Sequence, residues 1–505
     1  MREILINVTA RETRAALIEN GATQELYIER ASRRGLVGNL YKGRVSRVLP
    51  GMQAAFVDIG LERTAFLHAS DIARAVPAEA EGVPPVPDIG TLVLPGQEIL
   101  VQVLKDPLGT KGARLSTFVS LPSRFLVYMP YGQGVGVSSR IEDPEAREQL
   151  RVQVRELKES AQASAQASAP ETAQPGTASG TGGYIVRTAA YRAPPEALRA
   201  DMLYLARLWE HVRQEKLKAC SASLVHEDLA LGPRMLRDEL SADVCRVLVD
   251  APAEYARLRQ FAQAFMPEAV DRIEQYYGAP PLFELHGVEE EIGRALDRKV
   301  ALKSGGYIVI DQTESMTTID VNTGAYVGHR NPEDTVYRTN LEAAVAIARQ
   351  LRLRNLGGII IVDFIDMQDA AHREQLLVAL HGALAGDRAQ NQIASVSPLG
   401  LVEMTRKRTR ESLEHLLCEP CATCQGRGFV RSAETICHEI YREALRQSAQ
   451  FRVEQLVILA HPEVVERLLD EDAPVLADLE QQVGRPVRLQ AEALYSLEQF
   501  DVVLA

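Results

Sequence analysis

The chain has no run of about 18 consecutive apolar residues, the length a helix needs to cross a bilayer. Its opening Met1-Arg2-Glu3, followed by a short apolar stretch broken at Asn7, lacks the profile of a secretory signal. A soluble, cytoplasmic protein with no membrane partner is expected. A disulfide framework is missing too. Three of the six cysteines are scattered (Cys220, Cys245, Cys437) and three are clustered (Cys418, Cys421, Cys424), which suits a metal better than paired bridges. There is no surplus of positive charge either. The formal net charge of -12 removes global attraction to a polyanion, yet a site needs only a local field.

At 505 residues the chain exceeds one hydrophobic core and should divide into several domains. Basic residues are bunched at Arg30, Arg33, Arg34, Lys42, Arg44 and Arg47, at Arg349, Arg352 and Arg354, and at Arg406, Lys407, Arg408 and Arg410. Any one such cluster reads first as a solvated face. Three of them flanking motifs point to a polyanionic partner.

Two carboxylates end apolar runs, Asp320 in TTIDVNTG (317–324) and Asp363 in IIIVDFIDM (359–367). The segment between them opens with Thr339 and Glu342 at capping-box spacing, places Leu341, Ala344, Val345, Ala348 and Leu351 on one face, and stops at Gly357-Gly358. That pattern predicts strand, helix, strand. Such a crossover makes the strands parallel and brings both aspartates to one carboxyl-end edge, where α/β sheets bind ligands. Two hard oxygen ligands there suit Mg²⁺ or Mn²⁺, although an Asp at a strand end otherwise reads as a turn or cap residue. Asp366, on the same stretch, reads as structural support.

Short alternating runs separated by Gly51 and Gly60 (38–72), with two more strands around a Gly-containing turn (96–116), predict a five-stranded barrel. With Gly43, Val45, Gly51, Phe56, Val57, Gly60, Phe66, Leu67, His68 and Ser70 in place, this segment resembles the S1-type OB-fold RNA-binding domain. The resemblance makes Phe56 and Phe66 candidates to stack on unpaired bases and Lys111 a candidate to meet the backbone. Without it each Phe would read as core; His68 reads as structural. The Pro-rich stretch 76–95 is expected to be a surface loop. From 160 to 183 the composition collapses to small and polar residues with Glu171 the one charge, and a disordered loop inserted within a domain is expected. In CEPCATCQGRG (418–428), the spacing of Cys421 and Cys424 lets both thiolates reach one zinc ion, with Gly426 and Gly428 permitting the turn behind them. That is half of a tetrahedral set. Either Cys418, His415 or Cys437 completes it within one chain, or a second chain contributes its own pair.

Taken together, the barrel, IVRTA (185–189), TTIDVNTG, the NLEAA and LRLRNLGGIIIVDFIDM run (340–367) and the Cys421/Cys424 pair resemble the ribonuclease E/G family over essentially the whole chain. The end at Ala505, without a long charged scaffold tail, favours its G-type branch. The resemblance implies a multidomain α/β fold in which the S1-type OB barrel (36–118) is inserted in an RNase-H-like subdomain (1–35 and 232–295). A 5′ sensor (119–231), a deoxyribonuclease-I-like catalytic subdomain (296–415), a zinc link (416–428) and a small C-terminal α/β domain (429–505) complete it. It further implies Asp320 and Asp363 as Mg²⁺ ligands, Asn322 as the residue positioning the scissile phosphate or attacking water, and Arg187 and Thr188 as the pair that binds a 5′-monophosphate. Pro122-Ser123 departs from the small, Gly-containing turn common in the family. The implied activity is Mg²⁺-dependent cleavage of single-stranded A/U-rich RNA to 5′-phosphate and 3′-hydroxyl ends, on rRNA precursors and mRNA, by a homodimer or higher homo-oligomer. The rival from another class is a non-catalytic RNA-binding translation or assembly factor. A metal-free ribonuclease built on paired histidines finds no recognisable pair among the ten present.

The half-site geometry and the resemblance both point to a zinc shared between two chains, because a twofold-related copy offers at the axis whatever the first chain offers. Metal analysis with light scattering should therefore give one zinc per two chains. Replacing Cys421 and Cys424 by Ser should abolish both zinc and dimer, and one zinc per chain would rule out the shared site.

Overall fold

The computed structural model of the chain describes residues 1–73, 87–107, 111–139, 141, 143–167, 182–241, 243–324, 332–408, 410–451 and 455–504. They form two compact units, Met1–Leu413 and Glu414–Ala505.

In the first unit, one sheet runs Ile273–Gln275, Val244–Val249, Arg2–Val8, Glu12–Glu19, Ala22–Arg30, so segments far apart in the chain share it. Val244–Val249 joins parallel to Arg2–Val8, whereas the first three strands are antiparallel. Asn20 and Gly21, at φ 51° and 78°, make the two-residue turn of the second hairpin, a conformation that Asn-Gly adopts with little strain. Ile4, Ile6, Ala15 and Leu17 are buried under helices Leu231–Glu239 and Pro252–Phe265.

Between the two halves of that sheet the chain closes a barrel. Leu40–Leu49 pairs with Ala54–Asp58 on one side and Glu98–Lys105 on the other, and Ala65–His68 and Arg114–Ser116 complete the ring. Closure leaves no room at Gly43, where a Cβ would lie 2.5 Å from Val57 Cγ1. Of the expected loop at 76–95, residues 76–86 lie outside the described residues. Its later part is not a plain surface loop, because Ile89–Leu92 forms a short helix that buries Ile89 in the barrel core.

A four-stranded sheet (Val135–Val137, Gly183–Val186, Leu126–Met129, Leu121–Pro122) packs on helices Pro144–Ala167 and Pro195–Lys218. The first helix corrects the expectation for 160–183. Residues 160–167 continue it, since Ala and Gln readily extend a helix already nucleated, and Gly183 begins a strand; 168–181 lie outside the described residues.

The fourth sheet has the order Lys299–Ala301, Tyr307–Gln312, Met316–Asn322, Gly358–Asp363, Leu401–Arg406, Asn391–Val396. Its one parallel pair is Met316–Asn322 with Gly358–Asp363, joined by helix Pro332–Leu353. The helix starts at Pro332 rather than at the Thr339/Glu342 box: Thr339 lies inside it, with its hydroxyl donating to the Thr335 carbonyl at 2.9 Å. Pro followed by Glu333 and Asp334 was the available start signal. The buried stripe is also rotated. Ala343, Ala344, Ile347, Ala348 and Leu351 pack on the sheet, whereas Val345 is 59% exposed. Helix Ala370–Leu384 covers the same face, leaving Thr318, Asp320, Ile359 and Asp363 exposed on the other.

The second unit is a three-stranded sheet (Val487–Ala491, Leu456–Ala460, Phe500–Leu504) packed on helices Ala433–Gln450, Pro462–Leu469 and Ala473–Val483.

Among the described residues of the first unit, Arg406 and Asp387 form the most deeply buried ion pair, with side chains 4% and 3% exposed and Nε to Oδ2 at 2.6 Å. Asp387→Ala would strand a buried guanidinium and should cost about 3–5 kcal/mol. Urea unfolding of the variant checks this; a loss below about 1 kcal/mol would place the pair among surface contacts.

Candidate active site

Asp320 and Asp363 are direct cross-strand partners in the parallel pair. Neighbouring strands lie about 4.8 Å apart, so both carboxylates face one small volume of solvent. Strand alternation puts them there: Ile319, Val321 and Val362 are buried in the core, and the residues between them project from the open face. Asn322, two residues on, donates from Nδ2 to Asp320 Oδ2 at 2.8 Å. The three residues are thus brought together, while Asp366 is exposed beyond the strand end. Among the described residues, no group of three or more His, Cys, Asp or Glu is placed to hold a metal ion. Two carboxylates with an adjacent amide form the sparse, oxygen-rich set that fits Mg²⁺, an ion that keeps several of its waters.

Arg187 directly follows strand Gly183–Val186, and its guanidinium donates to the Ser123 carbonyl. Thr188 is half-buried and opens the short turn Thr188–Arg192. The Pro122-Ser123 departure is held by a residue that sequence reasoning missed. Asp201 Oδ2 accepts from Ser123 Oγ (2.5 Å), Phe125 N (2.6 Å) and Leu126 N (3.1 Å). Burial pushes the Asp201 carboxyl up, against these hydrogen bonds, which pull it down. Burial likewise lowers the Arg187 guanidinium, opposed by Asp238. No local signal marks Asp201, which sits within the long helix Pro195–Lys218 far from its partners in sequence.

On the barrel, Phe56 and Phe66 are cross-strand partners with ring centroids 6.2 Å apart at 72°, both partly exposed. His68 lies 6.4 Å from the Phe66 ring, and its Nδ1 accepts from Ser70 N at 3.2 Å, capping the turn that follows. Lys111 is exposed. The expectation of three polyanion-facing basic clusters is corrected, because two of them are used inside the protein. Arg349 donates to the Thr23 carbonyl (3.0 Å), Arg352 to Gln24 Oε1 (2.7 Å), Arg354 to the Asp297 carbonyl (2.7 Å) and Arg410 to the Leu26 carbonyl (2.6 Å). In the first cluster Arg30 pairs with Glu12, Arg34 with Glu227 and Lys42 with Glu98, while Arg44 and Arg47 are exposed on the barrel.

In the second unit, Cys421 and Cys424 occupy a tight turn. Gln425 N donates to the Cys421 carbonyl (2.7 Å) and Arg427 N to the Cys424 carbonyl (2.9 Å), with Gly426 and Gly428 at φ 85° and 79°. Hydrogen bonds from the backbone of Cys424 and Thr423 hold the exposed Cys421 thiol below its ordinary pKa, which favours the thiolate a metal needs. Cys418 is exposed. Cys437 drops out as a ligand: it is buried in the unit's core, and burial pushes its thiol up to about 12.

Comparison with known proteins gives a consistent result. The Ribonuclease E/G family matches residues 120–409, the RNase E/G thioredoxin-like domain 420–504 and the S1 RNA binding domain 36–118. The chain is 51% identical over 505 residues to Ribonuclease G of Salmonella typhimurium (strain SL1344), with 99% of each chain covered. The figures are the same for Ribonuclease G of Escherichia coli (strain K12). For Ribonuclease G of Haemophilus influenzae (strain ATCC 51907 / DSM 11121 / KW20 / Rd) the identity is 49% over 506 residues, again with 99% of each covered.

If the Arg187 region reads a 5′ end, Arg187→Ala should slow cleavage of 5′-monophosphorylated RNA more than of 5′-hydroxyl RNA, narrowing the ratio of kcat/KM values. An equal loss on both substrates would assign Arg187 to holding the Ser123 turn alone.

Proposed function

The chain belongs to the ribonuclease E/G family and is an endoribonuclease, and from that premise we propose that it hydrolyses single-stranded, A/U-rich RNA with Mg²⁺ or Mn²⁺ held by Asp320 and Asp363. The observation that carries the reading is the in-register exposure of these two carboxylates beside Asn322. When bound, the divalent ion supplies charge neutralisation at the phosphate oxygens and a lowered pKa for its water. The chain's own residues do the positioning. Asp320 and Asp363 would hold the ion at the open face of the sheet. Asn322, fixed through Asp320, has its remaining amide capacity for the scissile phosphate or the attacking water. In-line attack would release 5′-phosphate and 3′-hydroxyl ends.

Phe56 and Phe66 would stack on unpaired bases and Lys111 would meet the backbone, with the exposed Arg44 and Arg47 supplying local positive potential on an acidic protein. The matched S1 domain supports RNA as the partner. Arg187 and Thr188 would take the 5′-monophosphate. The mixed five-stranded sheet assembled from two chain segments supports the RNase-H-like subdomain, and the six-stranded sheet the deoxyribonuclease-I-like one. Cys421 and Cys424 suit Zn²⁺ as thiolates, shared between two chains. Processing of rRNA 5′ ends and decay of mRNA in the cytoplasm are the roles that follow; among the described residues no helix is long and apolar enough to cross a membrane. The non-catalytic reading yields to the full-length nuclease relatives.

Asp320→Asn and Asp363→Asn test the proposal. Each should lower cleavage by about three orders of magnitude while leaving RNA affinity near wild type, since each removes an anionic ligand and spares the barrel. Mapping product ends on short RNA with and without Mg²⁺ is the readout; near wild-type cleavage by either variant would sink the metal site.

A further inference from the structure

The strands that carry Asp320 and Asp363 end where their ladder hydrogen bonds end, so something else must fix the backbone beyond them. After Asp363 the chain passes through Phe364 and Ile365. The buried Asn340 grips Ile365 with both ends of its carboxamide: Nδ2 donates to the Ile365 carbonyl at 2.7 Å, and Oδ1 accepts from the Ile365 amide at 3.1 Å. Asn340 lies on the crossover helix, on the side that packs against the sheet. Two residues along, Glu342 accepts from the backbone amides of Lys303 and Ser304, the latter at 3.1 Å. That turn abuts the other carboxylate's strand. A Cβ at Gly306 would lie 2.7 Å from the Asn322 carbonyl, and one at Gly324 would lie 2.6 Å from the Gly305 carbonyl. One helix therefore grips the backbone just past the Asp363 strand directly, through Asn340, and braces through Glu342 the turn that packs against the end of the Asp320 strand.

We propose that Asn340 and Glu342 are positioning residues that set the spacing of Asp320 and Asp363, and with it metal affinity and turnover. The inference rests on the reading of those aspartates as metal ligands. Asn340 carries most of it, because its side chain satisfies both backbone groups of a residue that has left the sheet. Removing it leaves the partly buried amide and carbonyl of Ile365 unpaired and lets Asp363 drift, whereas the RNA-binding barrel is untouched. Glu342 holds a turn one layer further from the metal, so its loss should do less.

The test compares Asn340→Ser and Glu342→Gln with Leu351→Ala, which deletes core packing on the same helix without touching either strand end. Mn²⁺ binding without RNA is read by electron paramagnetic resonance, alongside kcat and KM for a short RNA and amide exchange of residues 364–367. Asn340→Ser should weaken Mn²⁺ binding roughly 10- to 100-fold and lower kcat similarly, with KM for RNA within about twofold of wild type and faster exchange in 364–367. Glu342→Gln should shift binding in the same direction by less. Leu351→Ala should lower the melting temperature yet keep Mn²⁺ affinity. Wild-type Mn²⁺ affinity in Asn340→Ser, or an equal loss in Leu351→Ala, overturns the positioning role alone. Equal binding by wild type and Asp320→Asn overturns the metal reading, and this inference with it.

Discussion

Two like charges on adjacent strands of one sheet are the constraint around which the first unit is arranged. At a strand spacing of about 4.8 Å, the repulsion between two carboxylates costs about 1 kcal/mol in water and several times more in a low-dielectric interior. The pair is therefore stable only if one face of the sheet stays open. Both long helices of that region lie on the opposite face, where Ile347, Leu351, Leu376 and Leu380 make the core. The open face keeps the carboxylates hydrated, and the single parallel pairing in an otherwise antiparallel sheet keeps them in register.

The arginines show a second economy. An acidic protein that binds a polyanion would be expected to display its cations, yet several of the clustered arginines tie sheets to one another. Arg349, Arg352 and Arg410 reach main-chain or side-chain acceptors on the strand Ala22–Arg30, joining the first sheet to the region that carries the carboxylates. Arg388 pairs with the buried Glu239, Tyr27 donates to Glu25 at 2.7 Å, and the Arg410 guanidinium lies 3.6 Å over the Tyr27 ring. Burial raises Glu239 and Tyr27 in this cluster, with the nearby arginines acting against that rise. Guanidinium suits the task because its planar fork meets several acceptors without losing its charge. Among the cations left exposed on the barrel, Arg47 and Arg114 are the cross-strand partners of Phe56 and Phe66.

Sequence by itself determined what depends on short-range pattern. Alternating runs and glycine punctuation gave the five-stranded barrel, the apolar runs gave the strands of Asp320 and Asp363, and the crossover made them parallel. Capping-box spacing at Thr339 and Glu342 is compatible with a helix start, but the two side chains have other partners, a carbonyl four residues back and a turn nearly forty residues away. Composition describes what cannot form a core, not what can extend an existing helix, so residues 160–167 are helical where composition alone suggests a loop. Only tertiary structure decided that Asp201 holds the Ser123 turn, that Asn340 grips Ile365, that Cys437 is core and that two of the arginine clusters are internal ties. Each of these is a contact between residues distant in the chain, and its energy depends on burial and on a partner's direction, neither of which is encoded in local spacing.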